Sequence, residues 1–219
     1  MDSTSTKAVS KRRLDALETR ANILEVATRE FSEKGLAGAR IDEIAERTSS
    51  SKRMIYYYFG SKEELYRAVL EQAYARIRAQ EQEAHFENLR PDEALRSIIG
   101  HNFDYHVEHP DFVRLVLNEN VHFGEHIAQI ESMKQRNRSI IDQLETIIDK
   151  GVALGIFRDG IDPVDLHTTI SALSFYNVSN RHTFLHNFGV DFAAPAVRAK
   201  RREQIIQCVL DWVLKRPST

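Results

Sequence analysis

With 219 residues and a single cysteine, Cys208, the chain has room for one or two compact domains and cannot form an intramolecular disulfide framework. Charged residues at 28% and hydrophobic residues at 42% exclude a disordered chain, and no apolar run reaches the length a membrane crossing needs. A net charge of −2 excludes a uniformly basic nucleic-acid coat. The first sixty residues, however, hold eleven Lys/Arg against nine Asp/Glu, leaving nineteen against twenty-three, so a phosphate-facing surface belongs at the N-terminal end. The start, Met1 to Ser10, is polar and lacks the apolar stretch of a secretory signal, so a soluble cytoplasmic protein is expected.

Helical periodicity dominates, with no repeat and almost no strand-like alternation. Residues 1–14 read as a flexible basic arm carrying Lys7, Lys11, Arg12 and Arg13. It is either a solvated tail or an arm that adds phosphate contacts. A first helix is predicted from Asp15 to Lys34, with Ile23, Ala27 and Phe31 on one face and Gly35 positioned to end it. A short helix over Ile41–Arg47 turns inward Ile44 and Ala45, and Ser49, Ser50 and Ser51 form a polar turn with capping hydroxyls. A third short helix runs from Lys52 to Tyr58 and stops at Gly60. Ser61 and Glu64 are spaced as a capping box opening a fourth, through about Ala84.

Two stubby helices joined by a tight turn and braced by longer ones form a helix-turn-helix arrangement. In the third helix Ile55 and Phe59 are four apart and suited to anchoring, which leaves Lys52, Arg53, Tyr56 and Tyr57 to project. Cations there can pair with guanine edges, while Ser51 and tyrosine hydroxyls can donate to phosphates.

Further along, Pro91 with Asp92 and Glu93 reads as the start of a helix ending near His109-Pro110, and another spans Asp111 to His122. Gly124 interrupts before a long helix from Glu125 to Leu154. Asp162-Pro163 opens one running to His186, and Pro195 precedes the last, Val197–Lys215. In that last helix Ile205, Val209 and Trp212 make one stripe, which Ile206, Leu210 and Val213 widen enough to serve both a core and a second subunit.

Residues Arg20 to Leu70 resemble the DNA-binding domain of the TetR family of bacterial repressors. The resemblance rests on Ile23-Leu24 through Phe31 and Gly35, Ile44-Ala45, Ser51-Lys52, Tyr56-Tyr57-Tyr58-Phe59, and Ser61-Lys62-Glu63-Glu64-Leu65. It implies an all-α protein: a basic arm over 1–14, a three-helix helix-turn-helix domain over 15–61, and a helical effector-binding and dimerisation domain over 62–219. It further implies that Lys52, Arg53 and Tyr57 meet base edges or groove walls, and that Arg40, Ser51, Tyr56, Tyr58 and Lys62 meet phosphates. Ser49, Arg53-Met54 and Ala39-Arg40 depart from residues common in the family, so no base-by-base code carries over. A homodimer is expected, its last two long helices (163–186 and 197–215) pairing in a four-helix bundle. Two-fold symmetry then requires an inverted-repeat operator of double-stranded DNA.

Two segments of such a body are polar and aromatic enough to line an effector pocket. These are His101 to His106, which supplies His101, Phe103 and Tyr105, and Phe175 to His182, which supplies Phe175, Tyr176, Asn177, Asn180 and Arg181. The arginine favours an anionic group, so the expected effector is an aromatic acid or heterocycle; half of these residues could equally face the dimer interface or solvent. The pairs His122/His126 and His182/His186 have metal-ligand spacing on a helix and leave a metal-sensing regulator as an alternative, although Gly124 breaks the first and the second lacks a carboxylate. No cofactor is called for, because the chain lacks a phosphate loop, a dinucleotide fingerprint and a serine nucleophile elbow. An enzyme would have to be an unrecognised all-helical one.

Overall fold

The computed structural model describes residues 3–48, 50–83, 86 and 89–216, apart from the side chains of 3–13 and 83. The regular elements among them are helices: α1 (Ser3–Gly38), α2 (Ile41–Thr48), α3 (Lys52–Phe59), α4 (Lys62–Glu83), α5 (Pro91–Glu108) and α6 (Pro110–Val121). After a 3-10 turn (Ile127–Gln129) come α7 (Ser132–Ala153), α8 (Pro163–Ser179), α9 (Arg181–Phe188) and α10 (Pro195–Val213). One isolated bridge joins Phe157 to Leu214. The chain is thus all-α, and none of the described helices is long and apolar enough to cross a membrane. The side chains of Lys7, Lys11, Arg12 and Arg13, and Ser49 of the serine turn, lie outside the described residues.

Two compact units divide the chain. The first takes residues 1–73 with 114–130, and the second takes 74–113 with 131–219. The residue 61/62 boundary expected from the sequence marks the start of α4, whereas the units divide later, between Ala73 and Tyr74.

In the first unit the stripe Ile23, Ala27, Phe31 is fully buried with Ile44, Ile55 and Leu65, and the Tyr66 ring meets Phe31 edge-on at 5.1 Å. The backbone of α1 is helical from Ser3, so residues 3–14 of the expected arm continue the helix. No Gly or Pro lies between Ser3 and Lys34 to interrupt it. Gly35, at φ 66°, breaks α1, as its sequence position led us to expect.

The second unit packs α5, α7, α8 and α10 around Leu95, Ile99, Leu144, Leu166, Ile170, Ile206 and Val209. Two glycines let side chains cross a helix at close range. Arg202 lies over Gly100 and donates to Asp104 (2.9 Å), and the Phe157 ring lies over Gly151.

Two expectations are corrected. The long helix starts at Ser132, not Glu125, because Phe123 (φ 57°) and Gly124 (φ 70°) both turn left-handed and the Gly124 N–H closes on Glu119 O (2.7 Å). The helix opened by Asp162, whose carboxylate accepts from the Val164 and Asp165 N–H groups, ends at Ser179. Asn180 (φ −105°, ψ 5°) bonds locally to Ser179 Oγ and separates α9. Of the α10 stripe, Ile205 and Val209 are buried, while Trp212 is exposed with the Arg158 guanidinium 5.3 Å from its ring.

Gly151→Ala is expected to cost about 1–3 kcal/mol, because its methyl group would meet the buried Phe157 ring at 2.1 Å and force the core apart. Thermal or denaturant unfolding checks this, and an unchanged melting temperature would contradict it.

Candidate nucleic-acid interface and effector chamber

An eight-residue helix cannot hold itself in water, so α3 depends on its anchors and caps. Ile55 and Phe59 are buried, Ser51 Oγ accepts from the Met54 N–H (3.2 Å), and the Gly60 N–H closes on Tyr56 O (2.8 Å). The opposite face is open: Ser51, Lys52, Arg53, Tyr56 and Tyr57 are exposed, Tyr57 to 78%. Tyr58 is half-buried, with its ring edge-on to Tyr57 at 5.5 Å. Arg40 is exposed just before α2. Lys62 sits less freely, half-buried with Nζ donating to Ala37 O (3.5 Å).

The sequence reading missed the acidic residues that brace this surface. Lys52 is ion-paired to Asp42 of α2. Glu30 of α1 is fully buried and gathers Lys34 Nζ (2.9 Å), Arg47 of α2 (3.6 Å) and the Arg40 backbone N–H (3.2 Å). Lys34 also pairs with Glu43, and each raises or lowers the other's pKa in the charged direction. The helical pattern could have flagged Glu30, since it falls on the buried side of α1 beside Phe31. Arg20, over the Phe59 ring at 5.0 Å, was likewise unforeseen.

The first unit also holds a cavity of about 280 Å³, lined by residues that include Ala37, Lys62, Tyr66, Glu119, His122 and His126. The buried Glu119 carboxylate accepts from the His126 and Ile127 N–H groups, and burial followed by that carboxylate pushes the Tyr66 hydroxyl well above its ordinary range. His122 Nδ1 contacts Asn118 O (2.8 Å), and His182 Nε2 accepts from Arg181 Nε (3.2 Å). No group of three His, Cys, Asp or Glu side chains suited to a metal occurs among the described residues.

The residues expected to line the effector pocket separate into two groups. Phe103 and Tyr105 are buried, with Tyr105 stacked on His109 at 4.1 Å. Half-buried His101 lies edge-on to Phe86, and Phe175 lies edge-on to His106 at 5.8 Å. Asn177 is buried and accepts from Arg201 (3.1 Å). Tyr176 is exposed against Phe184 and Phe192, while Asn180 and Arg181 lie at the α8–α9 break with local partners.

The second unit also encloses polar side chains of α4, α5 and α8: Arg78, Glu81, Asn102, His106 and Ser174 are buried and His167 is half-buried, with Arg78 close enough to act on the charge of His106 and His167. Arg78 Nη1 donates to Glu81 Oε2 (2.6 Å), with both side chains almost wholly enclosed. Desolvation pushes Glu81 up to about 7 against the pull of Arg78, and pushes His167 down to about 4, helped by the charge of Arg78. His106 and His101 move downward by the same cause, and Tyr105 is raised to about 12. Arg78 Nε, Asn102 Oδ1, His167 Nε2 and Ser174 Oγ have no protein partner. In the sequence, Arg78 and Glu81 read as two more charges on a polar helix.

Residues 23–69 match the family described as bacterial regulatory proteins, tetR family, and residues 91–209 match the tetracyclin repressor-like, C-terminal domain. The chain is 37% identical over 194 residues to the HTH-type transcriptional repressor NicS of Pseudomonas putida, covering 89% of this chain and 92% of that protein. It is 32% identical over 164 residues to the HTH-type transcriptional repressor SCO4008 of Streptomyces coelicolor, 75% and 80% of the two chains. In fold it resembles a TetR family transcription regulator from Marinobacter aquaeolei, with a TM-score of 0.67 at 21% identity over 94% of this chain and 100% of that one.

Glu30→Ala is expected to destabilise the first unit by about 2–3 kcal/mol, since it leaves the Arg40 N–H and two cations without their shared acceptor. The loss should appear as a lower unfolding midpoint. For His167 the folded pKa lies below the ordinary value of 6.5, so the unfolded chain binds more protons and stability falls as pH drops from about 6.5 towards 4. The full effect is about 3 kcal/mol. His167→Asn should therefore lose less stability between pH 7 and pH 4.5 than the parent; equal losses would mean that His167 titrates normally in the fold.

Proposed function

We propose that this chain, which belongs to the TetR family of bacterial transcriptional regulators, is a repressor that holds an inverted-repeat operator as a homodimer and releases it when a small molecule occupies its second unit. The observation that carries the reading is the open face of α3, with Lys52, Arg53, Tyr56 and Tyr57 turned outward from two buried anchors. Arg53 and Tyr57 serve bases or groove walls. Lys52 exchanges Asp42 for DNA, and Arg40, Ser51, Tyr58 and Lys62 serve the phosphates. Repression is inferred from the two relatives whose names carry it.

Self-association is supported by apolar side chains left in solvent along α8, α9 and α10: Tyr176, Leu185, Phe188 at 66% exposure, and Trp212. A two-fold pair spaces its recognition helices by about 34–36 Å, one turn of duplex. An effector that binds better to a second spacing depopulates the first; one that binds both equally does nothing.

Selection of duplexes from a random library by the full chain should return an inverted repeat, and binding should weaken steeply with added salt as counterions are released. Arg53→Ala is expected to weaken that binding and relax preference at one base pair per half-site, by about 1–3 kcal/mol in fluorescence anisotropy. Equal loss on every sequence would move Arg53 to the phosphate backbone. In sedimentation the chain should run at twice its 25.2 kDa, and a single-chain mass would remove the dimer.

A further inference from the structure

We propose that the Arg78–Glu81 pair on the wall of a recess in the second unit is the recognition point for the effector, and that the effector is a small organic carboxylate whose binding carries a proton onto Glu81. The inference rests on the effector-responsive reading above and names its ligand chemistry.

The recess has a volume of about 200 Å³ and is lined by Arg78, Glu81 and Gln82 of α4 with Ser139, Ile140 and Gln143 of α7. That is room for a small organic molecule, on the scale of a short aliphatic acid or a single ring. Arg78 is only 7% exposed and Glu81 5%. Of the guanidinium donors, Nη1 is taken by Glu81, while Nε is sealed from solvent without a protein acceptor. An orphaned donor on a buried cation is costly unless something supplies an acceptor. A carboxylate suits the guanidinium because two parallel N–H groups match its two oxygens, and it reaches them by displacing Glu81 from Nη1 as that carboxyl takes up a proton.

The charges around the pair decide the protonation. Facing it are Arg78 itself, Tyr105 and His106 of α5 and His167 of α8, while Ser139 and Gln143 of α7 are uncharged. Burial already holds Glu81 near 7 and both imidazoles in the neutral form. A second anion on Arg78 raises Glu81 further, so near neutrality the carboxyl takes a proton from solvent and the incoming carboxylate takes over the guanidinium. The exchange is one anion and one proton in, with no change in the net charge of the enclosed cluster. Affinity therefore falls as pH rises through the Glu81 range, by up to tenfold per unit. An amine would be drawn to Glu81 instead and would tighten with rising pH, and an uncharged amide would follow neither trend.

The test is calorimetric titration of the full-length protein with acetate, butyrate and benzoate, and with butyramide, benzamide and benzylamine, at pH 6.5 and pH 8. The expected result is binding of at least one carboxylate, weaker at pH 8 by up to about eightfold, with proton uptake read from two buffers of different ionisation enthalpy. Glu81→Gln should keep the binding and lose most of its pH dependence. Arg78→Met should lose carboxylate binding while still binding operator DNA, which shows that it is folded. Failure of all three carboxylates to bind overturns the proposal. So does a preference for an amide or for benzylamine, and so does carboxylate binding that survives Arg78→Met or proceeds without proton uptake. Operator release is measured separately. A carboxylate that binds through Arg78 without freeing DNA leaves the site standing and removes the effector reading. A neutral compound that frees DNA does the reverse.

Discussion

The recognition helix is too short to be stable on its own, and much of the first unit follows from that constraint. Two turns of helix recover little against the entropy of ordering them, so α3 exists only because Ile55 and Phe59 are buried and its ends are closed by Ser51 and Gly60. Those same anchors fix its rotation, and the rotation turns Arg53 and Tyr57 outward. In the proposed function, specificity for DNA and stability of the domain belong to opposite faces of one eight-residue segment. The buried carboxylate of Glu30 extends this logic: one acceptor ties α1 to the start of α2 and to Arg47 near its end, holding the helices against which α3 is placed.

In the second unit the governing cost is desolvation. Four of its helices share an apolar core, and the same unit encloses polar atoms short of partners: Arg78 Nε, Asn102 Oδ1, His167 Nε2 and Ser174 Oγ. Burying polarity without partners opposes folding, and the shifted protonation of Glu81 and His167 expresses that opposition. In the proposed function, a ligand with the missing acceptors stabilises the folded unit by mass action.

Helix existence was largely legible from sequence, and helix boundaries were legible where termination chemistry is local. Gly35, Gly60, Ser51 and Asp162 each act within a few residues of themselves, and each does in the fold what its position indicates. Boundaries failed where the deciding partner is remote or unusual. The start of α7 depends on Phe123 adopting a left-handed backbone and on Glu119 accepting N–H groups from His126 and Ile127. The separation of α8 from α9 depends on Asn180 and Ser179 bonding to each other instead of outward.

The amino-acid sequence by itself determined the helical class, the helix-turn-helix and the outward residues of α3, because each rests on periodicity and caps acting over one or two turns. It could not determine which polar residues of the body converge. Aromatic and amide side chains in 101–106 and 175–182 were conspicuous along the chain, yet packing sent them to different surroundings. Arg78 and Glu81, unremarkable on a charged helix, became an enclosed pair. Convergence depends on side chains brought together from separate helices, and only the tertiary structure, by excluding water from that place, decided which of them matter.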